Sequence, residues 1–237
     1  MLDFHTHILP GMDDGSRSVE QSGAMLRCEA GHGVNTLVLT PHYYALREQP
    51  ERFLQRRSDA LQRLFASQED SWPQMYAGAE VAFFDGMSRT EQIDSLCIGE
   101  SRVMLVEMPF CRWNRRILSE LAALQDYCGI QPVLAHIERY LSDQPAGLVD
   151  ELREQGVWIQ ANASFFLRWQ TSWKALRMLK RQQIDFIGTD CHNMEQRSPN
   201  MGAAMKKISE KLGPGAMGHL QEMENRLMEV VMCGRHV

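Results

Sequence analysis

The chain has no pair of cysteines spaced as CxxC, although six are present, at Cys28, Cys97, Cys111, Cys128, Cys191 and Cys233. Their scatter excludes a disulfide framework and reads as free thiols in a reducing compartment, most of them buried. The first residues, Met1-Leu2-Asp3-Phe4-His5, run straight into a polar motif, without the basic segment, long apolar run and small-residue cleavage site of a signal peptide. Nowhere do roughly 18 charge-free apolar residues follow one another, as crossing a bilayer requires. The expectation is a cytoplasmic protein that is not itself transmembrane. An excess of positive charge is also missing, since 25 Lys and Arg face 30 Asp and Glu for a formal net charge of -5. A protein that lives on phosphate backbones normally shows a basic stripe, so nucleic acid is not an expected partner, though an acidic protein can still be locally positive at a phosphate site. Low-complexity linkers and repeats are absent as well. The 237 residues suit one domain, taken as 1–237.

Short apolar runs alternate with longer amphipathic ones. Candidate strands are Leu2 to His7, Thr36 to Thr40, Met75 to Val81, Val103 to Glu107, Gln131 to His136, Val157 to Ala161 and Asp185 to Thr189, seven in all. Helix-like windows between and after them are Ser18 to Ala30, Glu51 to Phe65, Arg116 to Cys128, Gly147 to Gln155, Ser172 to Arg181, Gly202 to Leu212 and Gly218 to Met232. Strands alternating with helices imply parallel pairing through βα units, and seven such units predict an α/β barrel-like sheet. The segment Glu80 to Ser101 fits this pattern least well.

Polar residues with metal-ligand chemistry fall at the strand ends. His5 and His7 end the first strand, His42 follows the second, Glu80 ends the third, Glu107 the fourth and His136 the fifth, while Asp190 and His192 follow the last. In a βα barrel the carboxyl ends of parallel strands converge on one face, where residues distant in sequence form one site. Five of the eight histidines occupy such positions; His32, His219 and His236 lie in helical, turn or terminal contexts and read as structural or solvent-facing. On a strand, residues i and i+2 point to one side, so His5 and His7 can reach the same ion while Thr6 faces the opposite layer. Asp190-Cys191-His192 repeats that spacing after a hydrophobic strand, and a carboxylate with an imidazole is a ligand pair for Zn, Mn or Fe. Within Asp13-Asp14-Gly15 the glycine can bend the chain and return a carboxylate to the strand end; Asp13 is expected to cap the helix near Ser18 instead.

The candidate ligands are then His5, His7, Asp14, His42, Glu80, Glu107, His136, Asp190 and His192. Four or five would satisfy one metal, so the set argues for two or three ions. Nitrogen and oxygen donors without sulfur point to hydrolysis, because metals about 3.5–4 Å apart lower the pKa of a bridging water and hold phosphoester oxygens during in-line attack. Arg139, three residues after His136, and Arg197, five after His192, are placed to grip a phosphoryl group with their planar guanidinium forks. Arg47 reads equally well as a surface charge.

Asp3-Phe4-His5-Thr6-His7-Ile8-Leu9-Pro10-Gly11-Met12-Asp13-Asp14-Gly15, Thr40-Pro41-His42, Gly78-Ala79-Glu80, Val106-Glu107-Met108-Pro109, Ala135-His136-Ile137-Glu138-Arg139-Tyr140 and Thr189-Asp190-Cys191-His192-Asn193 together resemble the polymerase and histidinol phosphatase (PHP) superfamily. They resemble more closely its bacterial manganese-dependent protein-tyrosine phosphatases of capsular and exopolysaccharide loci. The resemblance runs from residue 2 to about residue 212. It implies a distorted seven-stranded (β/α)7 PHP barrel and a trinuclear site, with manganese the first choice and iron or zinc possible. One ion would take His5, His7, Glu80 and Asp190; a second would share Glu80 with Glu107 and His136; Asp14, His42 and His192 would hold the third. It further implies that Arg139 and Arg197 grip phosphate, and that the substrate is a phosphotyrosine-bearing protein, the tail of a membrane-associated bacterial tyrosine autokinase controlling capsule and exopolysaccharide synthesis. The chain departs from the pattern at Thr189 and Cys191, where smaller residues are commoner, and in Tyr43-Tyr44-Ala45-Leu46-Arg47, which is less polar than expected.

Two alternatives stand beside this one. A PHP phosphoesterase for a small metabolite such as histidinol phosphate would have a closed site, whereas protein phosphotyrosine needs an open mouth with aromatic support, for which Phe110, Trp113, Phe165, Phe166, Trp169 and Trp173 are candidates. A non-catalytic regulator binding a phosphorylated tail is the other. A thiol mechanism meets one match, because Cys191 and Arg197 are spaced as Cys-x5-Arg. The intervening His192-Asn193-Met194-Glu195-Gln196 has no glycine to let amides curl around an oxyanion, and Glu195 would repel one. Strand alternation turns Cys191 away from Asp190 and His192, toward the barrel wall.

Overall fold

The computed structural model describes residues 1–233, so His236 lies outside the described residues. Strands and helices alternate as β1 (Leu2–Thr6), α1 (Val19–Gly31), β2 (Thr36–Leu39), β3 (His42–Tyr43), α2 (Pro50–Phe65), β4 (Gln74–Ala77), β5 (Glu80–Ala82), β6 (Val103–Glu107), α3 (Arg115–Cys128), β7 (Gln131–Leu134), α4 (Leu148–Glu154), β8 (Trp158–Asn162), α5 (Ala163–Leu167), α6 (Ser172–Lys180), β9 (Phe186–Gly188), α7 (Met201–Leu212) and α8 (Pro214–Cys233). Local chemistry sets several of these ends. The Ser18 hydroxyl accepts from the Gln21 amide at the start of α1, Pro50 begins α2 where its missing N–H costs nothing, and the Asn114 side chain accepts from Ile117 to open α3. Gly129, in the left-handed region, closes α3. Ile117, Leu121 and Leu124 recur at helical spacing on its buried face.

All strand pairs are parallel, as expected. The described strands number nine where seven were predicted. The two additions arise where the strands are interrupted at Thr40-Pro41 and again at Gly78-Ala79, one level along adjacent strands. Pro41 has no amide to donate, and a side chain on Gly78 would come within 3.0 Å of Ile98. The expected strand Met75 to Val81 is therefore β4 and β5, and His42 opens a short strand of its own. β1, β2 and β4 form one sheet, and β3, β5, β6, β7, β8 and β9 the other. The five-residue α5 was not anticipated, and the segment 80–101 resolves into β5 followed by two 3-10 turns.

The outer strands of this succession meet. Asp190 N donates to His5 O at 2.8 Å, His7 N donates to Cys191 O at 3.0 Å, and a side chain on Gly188 would come within 2.5 Å of His5 Cβ. Only glycine lets β9 lie this close to β1. Phe4, Val38, Leu105, Val133, Trp158 and Phe186, from strands that are not all neighbours, pack with Leu227 and Val230 of α8 in one buried cluster, which requires the sheets to curl. A larger cluster joins the other strand faces to the helices. Burial of each large aliphatic or aromatic side chain contributes about 1.5–3 kcal/mol, so the frame does not depend on the polar residues at the strand ends. No described helix is long and apolar enough to cross a membrane.

Candidate metal centre

Glu80 is the hub of the site. Its Oε2 lies 2.8 Å from His42 Nδ1 and 3.3 Å from the Nε2 atoms of both His5 and His7, while Oε1 lies 2.8 Å from His136 Nε2. His5, His7, Glu80, His136, Asp190 and His192 are all buried. Ligand atoms gather in three groups, each within 4.8 Å: His7, Asp14, His42 and His192; His5, His7 and Asp190; His42, Glu80 and Glu107. His136 stands outside these groups but contacts Glu107 at 3.5 Å as well as Glu80. Asp14 reaches them from solvent, 68% exposed, at 3.5 Å from His192 and 3.6 Å from His42. The structure thus brings all nine expected residues to one face.

Backbone geometry aims several of them. His136 and Asp190, each two residues beyond the end of its strand, β7 and β9, have positive φ of 32° and 53°, conformations that turn the chain sharply at the two strand ends. His5 Nδ1 meets Gln160 Oε1 at 3.4 Å, which leaves Nε2 toward the centre. His7 Nδ1 lies 2.7 Å from Asp13 Oδ2, again directing Nε2 inward. His192 Nδ1 lies 3.0 Å from the Asp190 carbonyl, an acceptor, so this nitrogen carries the proton and Nε2 keeps its lone pair.

The charges follow. Burial opposes ionisation of Asp190 and Glu80, but the neighbouring His5, aided by His7 for Asp190 and by His136 and His42 for Glu80, holds both carboxyls well below the usual range. Burial works against a charged His7, yet Asp13 outweighs it and raises the imidazole well above its ordinary value. Burial and the His7 charge push His192 down to about 4, leaving it neutral at physiological pH. For His136 burial is overcome by Glu107 and Glu80, which raise it to about 9.

This donor set fits cations. His5 and His7 bring their Nε2 atoms to 3.0 Å, a hydrogen bond that one proton bridges, so that both nitrogens face the same space and can ligate a cation once that proton leaves. Glu80 Oε2 and His192 Nε2 are buried without an aligned hydrogen-bond partner among the described residues. Unpaired buried donors and acceptors cost about 1–3 kcal/mol each, a cost that a coordinated ion removes.

Arg139 and Arg197 come to the same face and pair with opposite oxygens of Asp190, the Arg197 contact being 2.6 Å. Their side chains stay 35% and 38% exposed. A cavity of about 550 Å³ opens at Asp14 and His42 and is bounded also by Tyr44, Arg47 and Arg52. Tyr44 stacks on His42 with ring centroids 5.2 Å apart, and Arg47 lies over Tyr44 at 4.4 Å.

The scan of family models identifies residues 1–228 with the family described as "Capsular polysaccharide synthesis, CpsB/CapC". The chain belongs to this family. Among curated relatives, "Tyrosine-protein phosphatase CpsB" of Streptococcus pneumoniae is 30% identical over 224 residues, covering 90% of this chain and 91% of that protein. "Tyrosine-protein phosphatase YwqE" of Bacillus subtilis (strain 168) is 27% identical over 222 residues, covering 90% and 85%. A solved structure from work on YwqE and the pneumococcal CpsB, described as metal-dependent tyrosine phosphatases, superposes with a TM-score of 0.83 at 24% identity over all of this chain and 96% of its own. It shows that this CpsB/CapC member shares their fold.

Several expectations need correction. Asp13 does not cap α1; Ser18 does, and Asp13 accepts instead from His42 N and Gly15 N while orienting His7. Of the aromatics expected at the rim, Trp113, Phe165 and Phe166 are buried in the core, while Phe110, Trp169 and Trp173 are exposed. Cys191, by contrast, is wholly buried as expected, and burial together with Glu29 and Asp3 pushes its thiol well above the ordinary range. His219, expected to be structural or solvent-facing, is structural: it is buried, 3.1 Å from the Ile184 carbonyl.

Sequence reasoning passed over a supporting layer. Asn162 Nδ2 donates to Asp190 Oδ2 at 2.9 Å, and Gln160 Oε1 accepts from His136 N at 2.5 Å. Asp3 accepts from the amides of His5 and Thr189 and from the Thr189 hydroxyl, tying β1 to β9, with Glu29 beside it pushed up to about 10 by burial and by Asp3. Gln160 and Asn162 had a detectable signal: two polar residues at i and i+2 in the apolar run 157–163.

Proposed function

We propose that this chain is a metal-dependent protein-tyrosine phosphatase, a single metallophosphatase domain over 1–237 built on a distorted seven-stranded PHP barrel. The observation that carries this is the gathering of nine nitrogen and oxygen ligand candidates on one face around Glu80, with buried Glu80 Oε2 and His192 Nε2 left without an aligned hydrogen-bond partner among the described residues. The names of the relatives support the substrate class.

His5, His7, Glu80 and Asp190 would hold one ion, Glu80, Glu107 and His136 a second, and Asp14, His42 and His192 a third. Manganese is the proposed metal, with iron or zinc compatible with the same donors. When bound, such ions supply a water of lowered pKa and Lewis-acid contacts to phosphoryl oxygens. The chain does the rest. Asp13 and the Asp190 carbonyl hold Nδ1 of His7 and of His192, which turns both Nε2 atoms toward the site. Arg139 and Arg197, held at the rim by Asp190, present their free guanidinium edges to the phosphate and compensate charge as the ester bond breaks. Tyr44 and Arg47 line the approach, open enough for a phenyl ring on a polypeptide. None of the described residues lining that approach is a cysteine and Cys191 is buried, so the phosphoryl group passes to water without a covalent phosphoenzyme. The partner is a phosphotyrosine-bearing protein, the tail of a membrane-associated tyrosine kinase, met in the cytoplasm.

Assays of the manganese-loaded chain on a phosphotyrosine peptide and on histidinol phosphate test the substrate. The peptide should be the better substrate, and at least two ions should be found per chain. A single ion at full loading, or preference for histidinol phosphate, would overturn these assignments. Substituting Arg139 or Arg197 by alanine should lower kcat/KM by roughly 10²-fold, the scale of losing one preorganised transition-state donor. Unchanged turnover constants would remove that arginine from the phosphate site. Asp13→Ala should weaken metal binding by about 10–100-fold, as expected for a group that orients a ligand. Metal titration of the stripped variant checks it, and parental affinity would refute the positioning role.

A further inference from the structure

Against a formal net charge of -5 for the whole chain, residues 163–184 carry Arg168, Lys174, Arg177, Lys180 and Arg181 and not one Asp or Glu. This is α5, α6 and their flanks. Cations in the last turn of a helix are favoured by its dipole, which accounts for Arg177 and Lys180. Lys174 sits in the first turn of α6, where the dipole disfavours it. Among the described residues none of Lys174, Arg177 and Arg181 is within ion-pair distance of a carboxylate.

These three cations line a groove of about 320 Å³ between α6 and the segment that leads from β7 into α4, against one lining carboxylate, Asp150, which accepts from Gln183 Nε2 at 2.5 Å. Its apolar surface comes from Ile137, Leu148, Met178 and Trp173, the last 63% exposed. The groove adjoins the metal-candidate face. Ile137 follows His136 directly, and Trp113, another lining residue, packs on Tyr140 at 5.2 Å, which in turn packs on His136 at 5.6 Å.

We infer that this groove docks an acidic segment of the substrate polypeptide flanking its phosphotyrosine. The inference rests on the phosphotyrosine-phosphatase function proposed above. Lys174, Arg177 and Arg181 supply the charge complementary to Asp and Glu side chains, and Trp173 offers a flat apolar wall to the residue between them. A concave, apolar-floored channel beside the loop of His136 and Arg139 suits an extended chain whose phosphate lies in the site. A membrane surface would ask for a convex face.

The test compares the parent with Lys174→Ala/Arg177→Ala/Arg181→Ala on three manganese-supported substrates: a phosphotyrosine peptide flanked by Asp and Glu, one flanked by Ser and Gly, and p-nitrophenyl phosphate. The parent should show a KM about 10-fold lower for the acidic peptide, the scale of three exposed ion pairs, shrinking as salt is raised. The triple variant should lose this preference with kcat/KM for p-nitrophenyl phosphate unchanged. Anisotropy of a labelled acidic peptide reports docking without turnover, so a chain that binds the peptide through these residues but hydrolyses none of the substrates would sink the enzymatic function and spare the groove. Equal KM for the two peptides in the parent, or a preference that survives in the variant, overturns the inference. So does parent-only sedimentation with phosphatidylglycerol vesicles when peptide affinity is the same in both proteins.

Discussion

Asp190→Asn is expected to lower kcat/KM for phosphotyrosine by at least about 10³-fold while the chain stays folded, because this carboxylate serves two parts of the site at once. It lies 3.7 Å from His5 and 3.4 Å from His7, and it also receives Arg139, Arg197 and Asn162. Loss of one orienting group costs about 10–100-fold, and loss of one transition-state donor about 10²–10³-fold. The substitution removes a proposed ligand and unfastens both arginines, so the effects compound. Asparagine is the informative replacement. Asp190 has φ of 53°, a left-handed conformation that asparagine tolerates and alanine does not, so Asp190→Ala mixes backbone strain with loss of charge. The frame should survive, since the apolar clusters do not include this residue and the two arginines, more than a third exposed, regain water. Circular dichroism and thermal melting check the fold, metal analysis the occupancy, and steady-state kinetics the activity. Parental metal content with kcat/KM within 10-fold of the parent would contradict the assignment.

Chelation should abolish activity and added manganese should restore it, whereas Cys191→Ser should keep a substantial fraction. The two manipulations separate a metal route from a thiol route that Cys191 and Arg197 would otherwise permit by spacing. A nucleophilic thiol needs exposure and a pKa lowered to about 3.5–7.5. Cys191 has neither: it is fully buried, and burial with the carboxyls of Glu29 and Asp3 drives its pKa the other way. Its backbone, by contrast, is structural, accepting from His7 N at 3.0 Å at the junction of β1 and β9. Serine adds a buried hydroxyl at a cost of about 1–3 kcal/mol unless it finds a partner, so Cys191→Ala is the second variant. If both are folded and metal-loaded yet inactive, or a phosphocysteine can be trapped, direct hydrolysis is wrong.

The positions of the ligand candidates were legible because each depends on a local rule. A short apolar run reads as a buried parallel strand, its last residues lie at the carboxyl edge, and i, i+2 spacing puts His5 with His7 on one side. Asp190 and His192 follow from the same rule. The helices were legible in the same way, from apolar spacing and from caps such as Ser18, Asn114 and Gly129. Aromatics illustrate the limit of local rules. Phe165 and Phe166 look like Trp169 in sequence, but they enter the core and Trp169 does not, because α5 packs between α6 and α7 and its apolar face was invisible in five residues.

By itself, then, the amino-acid order determined the α/β alternation, the parallel pairing and the type of atom that each strand end presents, all of which come from propensity and periodicity within a few residues. Only the tertiary structure decided which atoms meet: that Glu80 touches four histidines, that Asp13 orients His7 and leaves Asp14 at the mouth, that the arginines share Asp190, and that β2–β3 and β4–β5 break at one level. The physical reason is separation along the chain. Asp3 and Thr189, whose hydrogen bond draws β1 and β9 together, are 186 residues apart, and pairing at that range is set by the curl and packing of the whole sheet rather than by either neighbourhood.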